Sequence, residues 1–99
     1  MLGAQLISPG YAISFNCDHT STCTEEVICQ TPQLSRLDSI MADRYFQLQD
    51  QSTRGAARVL LDSRWEWLDS RDSCGCNANC LVQHYKARIR MFREVLGLD

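Results

Sequence analysis

Apolar side chains recur at helical spacing along most of this chain. Leu34, Leu37, Met41, Tyr45 and Leu48 follow one another at intervals of three and four, which sets them on one side of a helix. Thr31-Pro32 precedes them as a start signal: a hydroxyl able to cap, then a proline at the first helical position, where its missing N–H costs nothing. The pattern predicts a helix over about 32–51. Ser52-Thr53 can cap a second, over about 53–73, with Ala57, Leu60, Leu61, Trp67 and Leu68 facing inward until Cys74-Gly75 stops it. A third, over about 78–96, begins after Asn77 or Asn79, turns Leu81, Tyr85, Ile89, Phe92 and Leu96 inward and ends at Gly97. A short extra helix is expected near 24–30, and no strand alternation of useful length appears. Short links between amphipathic helices favour antiparallel neighbours. The predicted fold is therefore all-α, a small up-down bundle of three main helices with the short N-terminal helix tied on by cysteines.

Arginines interrupt these apolar faces. Arg64 and Arg71 stand three before and four after Trp67, and Arg88 stands three after Tyr85, so all three lie on or beside faces that should meet. An unpaired buried charge costs several kcal/mol, so such arginines need acids. Asp38 and Asp72 are the natural candidates. The plainer alternative is that the arginines lie over the core edge with their heads in water.

Length and composition narrow the class. The chain has 99 residues, a net charge of −2 and no apolar run near the length of a membrane span, which describes one globular domain without a spanning helix. Residues 1–52 hold six acids and two bases (−4), and residues 53–99 hold six acids and eight bases (+2). That excess is too small for a nucleic-acid footprint. Lys86, Arg88, Arg90 and Arg93 read as a solvated helix face that also complements the helix dipole. Residues 1–13 lack the basic start of a secretory signal, and Ser8-Pro9-Gly10 breaks their apolar stretch. They are expected to be a poorly ordered leader, the remnant of a processed precursor or of expression, ahead of a single domain over 14–99.

Six cysteines fall in two clusters, Cys17, Cys23 and Cys29, then Cys74, Cys76 and Cys80. Fully oxidised, they allow about fifteen pairings, and the residues alone do not choose among them. The even number and the clustering favour a disulfide framework in an oxidising compartment. Metal binding is the competing use, because Cys76, Cys80 and His84 recur every four residues along one helix face, with Cys17 and His19 as further donors for zinc or copper(I). Cys-x-Cys-x3-Cys is not an established zinc spacing, so no metal or other cofactor is expected. Catalysis has less support still. There is no phosphate loop or nucleophile elbow, Glu25 and Glu26 are adjacent rather than facing, and the chain is expected not to be an enzyme.

Ser14-Phe15-Asn16-Cys17, Glu25, Ile28-Cys29, Leu37-Asp38, Tyr45, Trp67-Leu68, Arg71-Asp72, Cys74, Cys80, Tyr85 and Arg88-Ile89 together resemble the lysozyme inhibitor LprI-like family of small secreted bacterial proteins. The resemblance runs from residue 14 to about residue 92. It implies a helical protein of the periplasm or cell envelope, with Cys17 paired to Cys29 and Cys74 to Cys80. It also implies structural roles for Glu25, Asp38, Tyr45, Trp67, Arg71, Asp72, Tyr85 and Arg88. Cys23 and Cys76 depart from the family pattern. If the two clusters are neighbours in space, they form a third bridge. Arg64 stands where members commonly have glutamine, and Trp65 where the position is usually polar. Trp65 is either an interface anchor or a cover for the core edge. No lipid-attachment cysteine precedes the domain, so the expected form is unanchored, periplasmic or secreted.

The function implied is binding to a protein, plausibly a c-type lysozyme, by occluding a cleft that works through two carboxylates. Arg54 and Arg58 at the helix-turn tip, together with Trp65 and the loop from Cys74 to Cys80, are the candidate contacts. The alternatives are an envelope accessory domain without lysozyme affinity and a Cys/His metal binder.

Overall fold

A computed structural model of the protein describes residues 14–97. A 3-10 turn at Cys17–His19 leads into four helices, α1 (Cys23–Gln30), α2 (Pro32–Gln51), α3 (Arg54–Asp72) and α4 (Ala78–Leu96). No strand occurs among the described residues, and the protein is all-α. The expected leader over residues 1–13 lies outside the described residues, as do positions 98 and 99.

Most helix starts have a side-chain cap. The Thr22 hydroxyl accepts the Glu25 N–H at 3.1 Å, while the Glu25 carboxylate reaches back to accept the Ser21 N–H at 2.9 Å. Thr53 accepts from the Ala56 N–H at 3.2 Å and Asn77 from the Cys80 N–H at 3.0 Å, so α3 and α4 begin with the same device. Thr31 differs from expectation, because its hydroxyl makes no capping hydrogen bond. This one residue closes α1, donating its N–H to the Val27 carbonyl at 3.0 Å, and opens α2 at once, so the start of α2 rests on Pro32 at the first position. Gly97 ends α4 in the left-handed region, with φ 74°.

Pairwise contacts give the helix directions. Asp38 meets Tyr85 and Tyr45 packs on Phe92, so positions advance together and α2 runs parallel to α4. Ser70 meets His84 while Trp67 lies against Arg88, so positions advance oppositely and α3 runs antiparallel to α4. The chain therefore goes up, down and up, and its most extensive packing is between α2 and α4.

That parallel pair, closed on one side by α1, holds the core. Ile28, Leu34, Met41, Tyr45, Leu81, Tyr85 and Phe92 are buried together, with Leu37, Leu48, Trp67 and Ile89 packed at the margin. Burying a side chain of this size stabilises by about 2 kcal/mol. On α3, Leu60 and Trp67 pack against this core and Ala57 and Leu68 are half-buried, as the spacing predicts. Leu61 corrects the expectation: it stands one residue, about 100° around the helix, past Leu60 and is exposed. The fully buried residue of α3 is Arg71.

Three disulfides staple this frame: Cys17 to Cys29, Cys74 to Cys80 and Cys23 to Cys76. The last joins α1 to the turn before α4 across 53 residues. Beside it the Thr24 hydroxyl donates to the Gly75 carbonyl at 2.8 Å, and Gly75 takes φ 59°, which favours glycine.

Candidate functional site

The polar residues that carry the family resemblance meet inside the frame. Asp38 is fully buried on α2, where its carboxylate accepts from the Tyr85 hydroxyl at 2.6 Å, the Ser14 N–H at 2.8 Å and the Ser14 hydroxyl at 3.0 Å. This corrects the expected arginine partner, for the acid is satisfied by neutral donors. A carboxylate holding three such bonds is far cheaper to bury than a bare one. Burial pushes the Tyr85 hydroxyl well above the ordinary tyrosine range, and the Asp38 charge pushes it further while Arg71 opposes. Arg71, also buried, donates to the neighbouring Asp72 from Nη2 at 2.7 Å and from Nε at 2.9 Å, with Glu25 at 3.8 Å. Burial pulls its guanidinium down, but the Asp72 hydrogen bond and the Tyr85 and Asp72 charges outweigh that and leave it raised. Ser14, Glu25, Asp38, Arg71, Asp72 and Tyr85 thus form one brace linking the N-terminal segment to α1, α2, α3 and α4. Within it Arg71 Nη1 is buried and has no hydrogen-bond partner among the described residues.

Arg88 has a different surrounding. The sequence placed it on a solvated basic face, yet it is only 6% exposed, whereas Lys86, Arg90 and Arg93 face outward. Its guanidinium lies 4.6 Å from the centre of the Phe92 ring and 5.3 Å from that of Trp67, a cation held between aromatic faces. Among the described residues no acid pairs with it, and Nε and Nη2 have no acceptor. Burial lowers the guanidinium's proton affinity and the nearby Arg64 lowers it further, against an opposing effect of Tyr45. Trp67, which meets Tyr85 edge-on at 5.0 Å, likewise has a buried indole N–H without an acceptor.

A second arrangement lies on the outer side of α3. Arg54, Arg58, Leu61 and Trp65 are spaced by four, three and four residues, so they share one stripe of the helix, and all four are exposed. Trp65 is 61% exposed, with the Arg64 guanidinium 5.6 Å from its ring centre. That exposure favours the interface reading of Trp65 over a cover for the core edge. Phe46 on α2 is 57% exposed and borders the same Arg64 and Leu68 that flank Trp65, so aromatic surface continues from α3 onto α2.

The cysteine and histidine cluster is rearranged relative to the metal reading. Cys76 is bonded to Cys23 and leaves the group, and the residues that converge are Cys74, Cys80 and His84. His84 Nδ1 lies 3.1 Å from the Cys80 carbonyl and 3.4 Å from Cys74 Sγ, and Nε2 lies 3.0 Å from the Ser70 hydroxyl. A carbonyl only accepts, so Nδ1 carries the proton and Nε2 accepts from Ser70 in the neutral ring. Joined in one disulfide, Cys74 and Cys80 offer no thiolate, so a metal at this cluster requires their reduction. His19, at the exposed end of the 3-10 turn, is not part of it.

No protein-family model, curated protein or solved structure matches the chain. Among the described residues no helix is long and apolar enough to cross a membrane. The sequence reading missed Thr24 and Ser35, which donate to the Gly75 and Ile28 carbonyls. No local signal marks them, since a buried hydroxyl and a surface hydroxyl look alike in sequence.

Proposed function

We propose that this protein is an exported bacterial binding domain that inhibits a muramidase by laying the outer stripe of α3 across the enzyme's cleft. The single observation that carries the reading is that stripe: two arginines, an exposed leucine and a largely exposed tryptophan aligned on the helix that contributes least to the core. Tryptophan and arginine are the side chains most enriched among binding hot spots. A cleft whose catalysis depends on two carboxylates is a fitting receptor for protruding guanidinium groups. The three disulfides favour an oxidising compartment, such as the periplasm or the extracellular space. The resemblance to the lysozyme inhibitor LprI-like family names the enzyme class. On this reading the protein transforms no substrate and needs no cofactor.

The test is a cell-wall lysis assay in which oxidised protein is titrated into a c-type lysozyme. The expected outcome is inhibition near stoichiometry, weakened about thirtyfold in an Arg58→Ala/Trp65→Ala variant, the change that loss of a hot spot worth about 2 kcal/mol produces. Full lysis at a large molar excess of the native protein contradicts the reading.

A further inference from the structure

Cys74, Cys80 and His84 come together at the turn that opens α4. One donor atom from each, Sγ, Sγ and Nδ1, lies within 4.8 Å of the others, and all three side chains are half-buried, so water reaches the cluster. The imidazole does little for the disulfide it touches. Its Nδ1 proton goes to the Cys80 carbonyl at 3.1 Å, and a bonded sulfur is a weak acceptor. As a staple the Cys74–Cys80 bond is also close to redundant. Cys23–Cys76 ties the same turn to α1, the Thr24 hydroxyl holds the Gly75 carbonyl at 2.8 Å, and the Asn77 side chain holds the Cys80 N–H at 3.0 Å. None of these restraints uses the sulfurs of Cys74 or Cys80, so both side chains keep their places when the bond between them opens.

The distances around His84 match a tetrahedral zinc site. Zinc binds thiolate sulfur at about 2.3 Å and imidazole nitrogen at about 2.0–2.1 Å, which sets the N···S edges of the tetrahedron at about 3.6 Å and its S···S edge at about 3.8 Å. His84 Nδ1 already stands 3.4 Å from Cys74 Sγ and 3.9 Å from Cys80 Sγ, on either side of the required edge. Only the two sulfurs must part, and with their Cα atoms 5.6 Å apart side-chain rotation is enough. The outer hydrogen bond is in place as well. Nε2 lies 3.0 Å from the Ser70 hydroxyl. Once Nδ1 turns to a metal, the ring proton moves to Nε2 and is donated to that oxygen, the arrangement that orients metal-bound histidines.

We propose that Cys74, Cys80 and His84 form a zinc site that their own disulfide keeps closed. A dithiol reductant opens it by two exchanges. Its first thiolate attacks one sulfur and expels the other as a thiolate, leaving a mixed disulfide; its second thiolate breaks that bond, so two electrons pass to Cys74 and Cys80 and the reductant departs as a cyclic disulfide. Zn²⁺ then displaces the remaining thiol protons to solvent and takes two thiolates and Nδ1, with water in the fourth position. Linkage runs both ways, so bound zinc also opposes reoxidation. The site does not rest on the muramidase reading, since it shares no residue with the outer stripe of α3.

The test uses the full chain in two forms: fully oxidised, and after limited reduction, as the separated species in which peptide mapping finds Cys74 and Cys80 free and the other two bridges intact. Each is titrated with Zn²⁺ and with Co²⁺ as an optical probe. The two-thiol chain is expected to keep its helical circular dichroism and to hold one equivalent of zinc at micromolar affinity or tighter. Its cobalt form should show tetrahedral ligand-field bands and the charge-transfer intensity of two thiolates. The oxidised chain is expected to hold none. In the two-thiol form Ser70→Ala is expected to weaken zinc about tenfold through the loss of the outer hydrogen bond, and His84→Gln, which removes a ligand, by more than about a hundredfold. His19→Gln, at an exposed position outside the cluster, should change nothing. Equal zinc binding by the oxidised and two-thiol chains, equal binding by native and His84→Gln proteins, no binding at tens of micromolar, or loss of the helices on opening this one bond would each overturn the proposal.

Discussion

Asp38 shows how one residue comes to bind three parts of a small protein together. A carboxylate in a dry interior is tolerable only when donors surround it, and Tyr85 and Ser14 do so from α4 and the N-terminal segment. Asp38→Lys removes the acceptor of three donors and buries a cation, whereas Asp50→Lys alters an exposed position near the end of α2. The first substitution is expected to cost upwards of about 3 kcal/mol, enough to lower the thermal midpoint by more than about 12 °C, and the second to leave it within a few degrees. Equal midpoints would contradict the brace. Tyr85 adds a pH dependence. Its hydroxyl titrates above the ordinary value in the fold and at about 10 in the unfolded chain, so the folded state keeps a proton that the unfolded state releases. Stability is therefore level below about pH 10 and falls as pH rises beyond it. Denaturant midpoints measured across that range should show a shallower alkaline fall in Tyr85→Phe, and an unchanged fall would argue against a buried titrating hydroxyl at this position.

At the scale of helices, the periodic pattern located α2, α3 and α4 because caps and apolar spacing agree there, and it erred where spacing alone cannot tell which face is used. Leu61 and Trp67 were both expected on the apolar face of α3, but Trp67 packs against the core while Leu61 is exposed. The burial of Arg88 was hinted at by its position three after Tyr85, yet its aromatic sandwich depends on Phe92 and Trp67 from two helices. No single segment contains that information. The outer stripe was half legible. Arg54, Arg58 and Trp65 stood out by type, but their alignment with Leu61 and their exposure follow from the phase of α3 against α2 and α4. Because that stripe touches little, Trp65→Ala is expected to shift the thermal midpoint by no more than about 0.5 kcal/mol in equivalent stability. A large loss would mean that Trp65 supports the fold instead of facing a partner.

For the molecule as a whole, the staples differ in what they constrain. Cys17–Cys29 and Cys74–Cys80 close separations of 12 and 6 residues, whereas Cys23–Cys76 closes 53 and links the two cysteine clusters. In the chain-entropy account these are worth about 3, 2 and 4 kcal/mol in that order. The resemblance implied the two local bridges. The third followed from supposing the clusters adjacent, and the Thr24 to Gly75 hydrogen bond beside it shows why they are. A Cys23→Ser/Cys76→Ser variant should lose more in its urea midpoint than Cys74→Ser/Cys80→Ser, and the reverse order would show that local strain, not chain entropy, governs this frame.

The central claim is that a rigid, stapled frame presents the stripe of α3 to a muramidase. Calorimetric titration of a c-type lysozyme with the oxidised native protein, and with Arg58→Ala/Trp65→Ala protein of matching thermal midpoint, tests it most directly. The account predicts one-to-one binding for the native chain and a dissociation constant about thirtyfold weaker for the variant. Identical binding by the two proteins, or heats no different from dilution for the native one, would contradict it.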